Sequence, residues 1–425
     1  MPALFPEGEK EVQRMVIRIG KKKFPLNQEG TLYICIAGFI IQPLFFFLLS
    51  TATNVFSFPS TVFTYIYYGG LLFLLLLSIP AIRKSINRSV LVGILCAAAV
   101  ISLQCLFFPQ NKQYITGFDP MALFSFQPQS LLTVLPFLLI GLAVKNAERL
   151  LDVLRIAARI GIGLGVLAYG LTIGFGMELR YDDMSNAYGL CLLLCILIIH
   201  QKLGDILFII AGILCLVLAG TRGPLVCLVI AVAVKRILLE KNFYKRALSL
   251  IVGGVVIGLL GSGLLVWLLE FLADSFAKVG ITDLRIINYM RDGMLTDSSG
   301  RDGLTATAIE KLFEHPFIGY GVGGDRLIMS SGMYVHNIFI ELLLSFGIIG
   351  GTAFIMWLAF WVWRAFQSNK PAVRMLAAIL LSGIVMKLVF SSSYLYSKEL
   401  FVFLGVCISG ACKRCNQVDS KKEEY

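Results

Sequence analysis

These 425 residues predict an all-α polytopic integral membrane protein with about 12 transmembrane helices and one large extracytoplasmic loop that contains an amphipathic helix. Three observations predict it. Hydrophobic residues make up 57% of the chain and charged residues only 15%, where a soluble domain carries roughly 25% charged. Mean hydropathy is +0.82, and apolar runs near the length of a bilayer crossing, about 20 residues, recur along the whole chain. Lysine and arginine collect in alternate loops, as the positive-inside rule demands of a multi-pass protein.

Residues 1–30 read as a cytoplasmic N-terminal segment carrying Lys10, Arg14, Arg18, Lys21, Lys22 and Lys23. No small-residue cleavage site precedes the first apolar run, so a cleavable signal peptide is not expected. Nine spans follow within 31–269, at 31–51, 62–82, 89–108, 129–144, 156–177, 185–201, 206–220, 223–234 and 247–269. The seventh and eighth are short, and Gly220-Thr221-Arg222-Gly223-Pro224 between them reads as a tight turn at one membrane face. Residues 270–336 form the extracytoplasmic loop. Three more spans, 337–363, 375–391 and 395–412, complete the 337–412 block, and 413–425 is a cytoplasmic tail. Arg83, Lys84 and Arg88, then Lys145, Arg149 and Arg155, Lys235, Arg236, Lys241, Lys245 and Arg246, and Arg364, Lys370 and Arg374 all fall on one side of this arrangement. That side is expected to be cytoplasmic, with both termini on it.

The net charge of +11 is mostly this loop charge, and no basic face interleaves with exposed aromatics, so nucleic acid is excluded as a partner. Cysteines 96, 191, 195, 215, 227 and 407 lie in apolar runs and read as small buried hydrophobes. Cys412 and Cys415 form a lone CxxC with no second pair, which does not make a zinc site.

The most informative stretch is 334–352. A polar His336-Asn337 pair abuts a long apolar run, where a spanning helix would meet water. On one continuous helix Gly347 and Gly350 would fall within roughly 40° of the His336 azimuth, giving an imidazole above a glycine stripe that admits a neighbouring helix. Arg180, after the fifth span, and Arg222, in the glycine-proline turn, count to the same face as His336. A boundary arginine with bent backbone around it suits a diphosphate, which its planar fork can grip through two bonds.

In the loop, Ser298-Ser299-Gly300 precede Arg301, and Leu304, Ala308, Ile309, Leu312 and Phe313 recur at helical spacing until His315-Pro316. This amphipathic helix could lie on the membrane face as a lid, with Arg301 near its N-terminus, where anions bind. Gly319 to Gly324 reads as a flexible turn; with no preceding strand it is not a nucleotide fingerprint. His200 and His315 read as structural boundary residues. No Asp-x-Asp pair is placed to hold a metal, Asp182-Asp183 being the nearest, so neither metal nor cofactor is expected.

At these residues the chain resembles the O-antigen ligase/polymerase family of bacterial envelope glycosyltransferases. The ligase pattern of His-Asn, nine residues, then Gly-x-x-Gly is similar to His336-Asn337 and Gly347 to Gly350; the Thr/Ser-Arg-Gly turn to Thr221-Arg222-Gly223; the Ser-Gly-Arg, helix, His-Pro and spaced glycines to Ser299-Gly300-Arg301, His315-Pro316 and Gly319 to Gly323. The resemblance covers 180–352; earlier spans match only in kind. The chain departs from the family after Arg180, where Tyr181-Asp182-Asp183 replaces the usual Asn-x-Asn element.

The resemblance implies a metal-independent transferase whose donor is a glycan on undecaprenyl diphosphate. Arg222, Arg180 and Arg301 would bind the diphosphate and His336 would act on the acceptor hydroxyl. The acceptor would be lipid A-core in a ligase, which the spacing favours, or a lipid-linked repeat unit in a polymerase. Membrane lipids and other polysaccharide-assembly proteins complete the implied partners. The alternative from another class is a flippase for the same lipid-linked glycan. That would show as charges lining a mid-membrane cavity, for which Glu341, Lys387, Lys398 and Glu399 are candidates, and as an internal repeat, of which none is visible.

Overall fold

The computed structural model describes residues 16–19, 22–25, 27–57, 59–117, 129–175, 184–240, 301–329 and 334–412, together with 242, 244, 246, 247 and 271. Arg180, Asp182, Asp183, Ser298 to Gly300 and the interval 247–269 apart from residue 247 therefore lie outside the described residues.

An antiparallel hairpin comes first, β1 (Val16–Ile19) with β2 (Lys22–Pro25), in the register Val16 to Pro25 and Ile19 to Lys22. The hydropathy reading does not anticipate it. Helices follow: α1 (Gln28–Phe56), α2 (Ser60–Ser85), α3 (Arg88–Phe107), the single turn α4 (Lys112–Ile115), α5 (Leu131–Leu142), α6 (Ala147–Gly174), α7 (Met184–Ile199), α8 (Ile206–Leu218) and α9 (Arg222–Val234). Beyond the central interval come α10 (Arg301–Glu314), the short α11 (Asp325–Ile328), α12 (Ile338–Phe366), α13 (Pro371–Ile379), a π-helical stretch Leu380–Val385, α14 (Met386–Phe390) and α15 (Lys398–Ala411).

Among the described residues six helical stretches are long and apolar enough to cross a membrane, and three shorter apolar helices accompany them. The protein is a multi-pass membrane protein built of helices. Helix α3 makes the physical case: of its residues only Ile101 and Gln104 are buried against the rest of the chain, and Leu91, Val92, Leu95, Leu103 and Leu106 stand exposed. A helix apolar on every side, with its backbone bonds satisfied internally, is at rest only in lipid. Cys96 is exposed on this same helix, so it is not the buried cysteine expected, whereas Cys191, Cys195, Cys215, Cys227 and Cys407 are buried.

Helix α7 is the hub. It packs on α1, α6, α8, α9 and the π stretch, and most of its residues are buried. Its two ends differ in chemistry. At the C-terminal end, buried Asp205 holds Arg155 at 2.7 Å and Arg159 at 2.6 Å, and Lys235 Nζ donates to Ile198 O at 2.6 Å. His200 stands there too, 3.7 Å from Asp152, as a boundary residue. The N-terminal end faces the candidate site.

Candidate active site

Helix α12 does not begin at His336. Asn337 is its N-cap, with Oδ1 accepting from Phe339 N at 3.0 Å and Ile340 N at 3.3 Å. His336 sits just outside, in a short segment whose Val335 N donates to Asp325 Oδ2 at 3.1 Å. Nor is α12 continuous. Gly347 has φ 71° and ψ 176°, a conformation essentially restricted to glycine, and it kinks the helix. The backbone groups the kink frees pair with the turn after α10: Tyr320 N donates to Leu344 O at 2.7 Å and Ile348 N to Pro316 O at 2.7 Å. Gly319 has φ 70° and lies so close that a Cβ would overlap Leu344 O.

The expected glycine stripe is thus corrected. Gly347 admits the His315-Pro316 loop rather than a second helix, and a Cβ on Gly350 would meet only Phe346 of its own helix, at 3.0 Å. The azimuth estimate fails because it assumed a straight helix from 336 to 350. The run Gly319 to Gly324 is also no flexible turn. It is largely buried, with Gly321 against Phe108 and Asn111, and Gly323 against Tyr114. Asn111 Nδ2 donates to Tyr320 O at 2.7 Å and Val322 N to Gln104 Oε1 at 2.9 Å.

Helix α10 turns Ala308 and Leu312 into a cluster with Met329, Val335 and Leu344, while Ile309 and Phe313 of the expected apolar stripe are exposed. His315 stacks edge-on against Tyr320, 4.9 Å between ring centres.

The end of α14 at Phe390 completes the site. His336 Nδ1 lies 3.0 Å from Ser391 O. A carbonyl can only accept, so Nδ1 carries the proton and Nε2 is left as an acceptor. The Tyr334 ring covers the imidazole at 4.5 Å. Arg301 donates to Phe390 O, one peptide away, and its other nitrogen lies 3.8 Å from Met184 Sδ. Burial lowers the pKa of His336, the Ser391 carbonyl works the other way, and the Arg301 charge lowers it again; the net is below the ordinary imidazole value. The group is therefore neutral at neutral pH, as a proton acceptor must be.

Arg222 is the first residue of α9 and is half-buried. Gly223 beside it lies so close to Tyr188 that a Cβ would overlap the phenol oxygen, and Cys191 Sγ lies 3.3 Å from Pro224 O. Tyr188 in turn interacts with Ser391 and Arg301. The structure so joins His336 and Arg301 directly through the 390–391 backbone and brings the Arg222 turn to them through Tyr188.

Beneath His336 lies an ion cluster that the sequence reading does not foresee. Buried Arg326 reaches Asp325 at 2.7 Å, Glu341 at 3.3 Å and Ser393 Oγ at 2.7 Å, and Ser393 also donates to Glu341. Tyr114, Tyr334 and Tyr396 place their rings 5.2 to 5.3 Å from the guanidinium carbon. Burial lifts Asp325 above the usual carboxylate range against the pull of Arg326. For Arg326 burial pulls downward, but Asp325 and Glu341 outweigh it and hold the guanidinium firmly charged. Because Asp325 holds Val335 while Glu341 accepts from Tyr394 N at 3.2 Å, the cluster ties together the two segments that fix His336. A signal was present in the sequence: Ser391-Ser392-Ser393 interrupts an apolar run, and Asp325-Arg326 follows the glycines.

Residues 206–355 match the family model described as O-antigen ligase. The matched segment contains Arg222, Arg301, Asp325, Arg326, His336, Glu341 and Gly347; Tyr188 and Ser391 lie outside it. No curated protein matches the chain.

Proposed function

We propose, on the match of residues 206–355 to the O-antigen ligase family model, that this protein is a glycosyltransferase that moves a glycan from undecaprenyl diphosphate to an acceptor hydroxyl at the outer face of the bacterial cytoplasmic membrane. Both termini would then be cytoplasmic. His336 Nε2 takes the proton of the acceptor hydroxyl as its oxygen attacks the anomeric carbon. The bond from that carbon to the diphosphate oxygen breaks, and its electron pair leaves with the diphosphate. Arg222 and Arg301, with Arg180, hold the charge that develops there. The diphosphate is already a good leaving group, so no metal is required of the chain. The observation that most supports this division of labour is the His336 ring, fixed by Ser391 O in the tautomer of a base beside the cationic Arg301.

Arg222→Lys keeps a charge but loses the planar fork. Transfer should fall at least about tenfold with normal membrane insertion, measured with purified lipid-linked donor; wild-type activity in Arg222→Ala would remove the arginine from the mechanism.

The ligase reaction, with lipid A-core as acceptor, is the form we propose, on the spacing of His336-Asn337 to Gly347 and Gly350. Lipid analysis of a deletion strain decides it. Long glycan left on the carrier supports the ligase, and single repeat units on the carrier would replace it with the polymerase.

A further inference from the structure

A cavity of about 800 Å³ lies beside the histidine, between α1, α2, α7 and the 383–399 segment. That volume is in the range of pockets that enclose a small ligand. Two of its lining residues, Tyr188 and Tyr334, also belong to the His336 site, so the two spaces adjoin. The remaining wall is mixed: apolar side chains such as Phe46 and Leu192, phenol rings such as Tyr68 and Tyr396, amides such as Gln42 and Asn186, and several hydroxyls. Aromatic faces beside amide and hydroxyl groups suit a sugar, which presents apolar C–H faces and a rim of hydroxyls. A lipid tail would leave the amides, hydroxyls and lysines of this wall unmatched.

Lys387 and Lys398 face this cavity as well. Lys398 is only 5% exposed, yet its ammonium donates to Gln42 and stands 5.9 Å from the Phe39 ring instead of meeting a carboxylate. Among the described residues neither lysine has a carboxylate oxygen within 4.0 Å of its nitrogen. Lys387 is close enough for its charge to act on Lys398. Glu399 also lines the cavity and acts on Lys398, its carboxylate taking a hydrogen bond from Ser397 at 3.4 Å, so the wall sets two ammoniums against one carboxylate and keeps a net positive charge. Two like charges on one wall repel, and the buried Lys398 ammonium is costly until an anion joins it. An amide and a ring ease that without cancelling the charge.

We propose that this cavity is a saccharide site selective for an acidic sugar, one bearing a carboxylate or a phosphate, which it seats beside His336 with Lys387 and Lys398 as the counter-charges. The proposal rests on the transfer chemistry above only for what the bound sugar goes on to do; binding itself can be read without turnover. It gives a binding role to charges that, for a flippase, would line a transport path.

The test is saturation-transfer NMR on the full-length protein in detergent, with glucose, glucuronate and glucose 6-phosphate as probes and inorganic pyrophosphate as competitor. At least one of the two acidic probes should bind about tenfold or more tightly than glucose, a charge-assisted contact being worth roughly that. Which of the two does so separates carboxylate from phosphate. The preference should vanish in Lys387→Gln and in Lys398→Met, and survive in Lys311→Gln, a lysine paired with Glu314 on α10. Lys387 is only half-buried, so its variant keeps the test valid should Lys398→Met fail to fold. Equal binding of glucose and both acidic probes overturns the proposal, as does preference for acid retained in Lys387→Gln. Lysine-dependent binding of pyrophosphate without either acidic sugar also overturns it, and would hand the lysines to the donor diphosphate. Acid-selective binding that persists in a protein without transferase activity would leave the site standing and refute the transfer chemistry.

Discussion

At the residue scale the site turns on one imidazole held neutral. Burial and the Arg301 charge both depress the pKa of His336, and its neutral form is the one that can accept a proton. Activity should therefore be present at neutral pH and fall as pH drops through a midpoint below the ordinary value near 6.5. His336→Ala should lose about 10² to 10⁴ in turnover while still binding undecaprenyl diphosphate, measured by single-turnover rates beside equilibrium binding of the donor. Loss of donor binding with turnover intact at saturation would move the histidine to the diphosphate site. Arg301→Met removes one of the two depressing influences, so the acid limb of the residual activity should move to higher pH. A merely structural Arg301 would lower activity without moving that limb. The place of His336 beside a helix start was legible in the sequence, because a polar pair set against a long apolar run marks where an apolar helix begins. Arg326 was not. An Asp-Arg pair in a loop usually marks a solvated corner, and its burial here comes from tyrosines at 114, 334 and 396, far apart in the chain.

At the scale of elements, the positions of helices followed from the apolar runs, and their breaks did not. Each interval read as a span coincides with a helical stretch, apart from 247–269, almost all of which lies outside the described residues. Glycines spaced as Gly-x-x-Gly fit helix contact or helix kink equally well, and only the positive φ of Gly347 decides between them. The two possibilities differ in outcome. A contact stripe would make Gly347→Ala and Gly350→Ala similar. The kink makes Gly347→Ala destabilising by at least about 1–3 kcal/mol from backbone strain, with overlap on Phe317 O added, and leaves Gly350→Ala mild. Thermal unfolding of the two variants in detergent measures the difference. The ion cluster clamps the same elements. Arg326→Met strands two buried carboxylates and should destabilise by about 3–5 kcal/mol. Adding Glu341→Gln removes one stranded charge and should recover part of the loss; no recovery in the double variant would mean that packing of the guanidinium under its tyrosines, rather than its charge, holds the clamp.

At the scale of the whole molecule, α7 separates two chemical ends. Asp205, Arg155, Arg159 and Lys235 gather at one. Met184, Tyr188, Arg301, His336 and Ser391 gather at the other. The proposed reaction, with its donor in the outer leaflet, requires the second end to face outward, which is also the orientation expected from the lysine and arginine bias of the loops. Two engineered cysteines report this directly, once the native cysteines have been replaced. Gly303 is exposed near the start of α10, and a Cβ there meets nothing within 4 Å, so Gly303→Cys should be tolerated and open to reagent. Lys202 is exposed at the Asp205 end. An impermeant maleimide added to intact spheroplasts should label Gly303→Cys, and should reach Lys202→Cys only after the membrane is permeabilised. Labelling of both from outside would mean that the α7 bundle does not divide two compartments. The reverse pattern would turn His336 toward the cytoplasm, where the same geometry would meet cytoplasmic donors, and the outer-leaflet transfer would have to be given up.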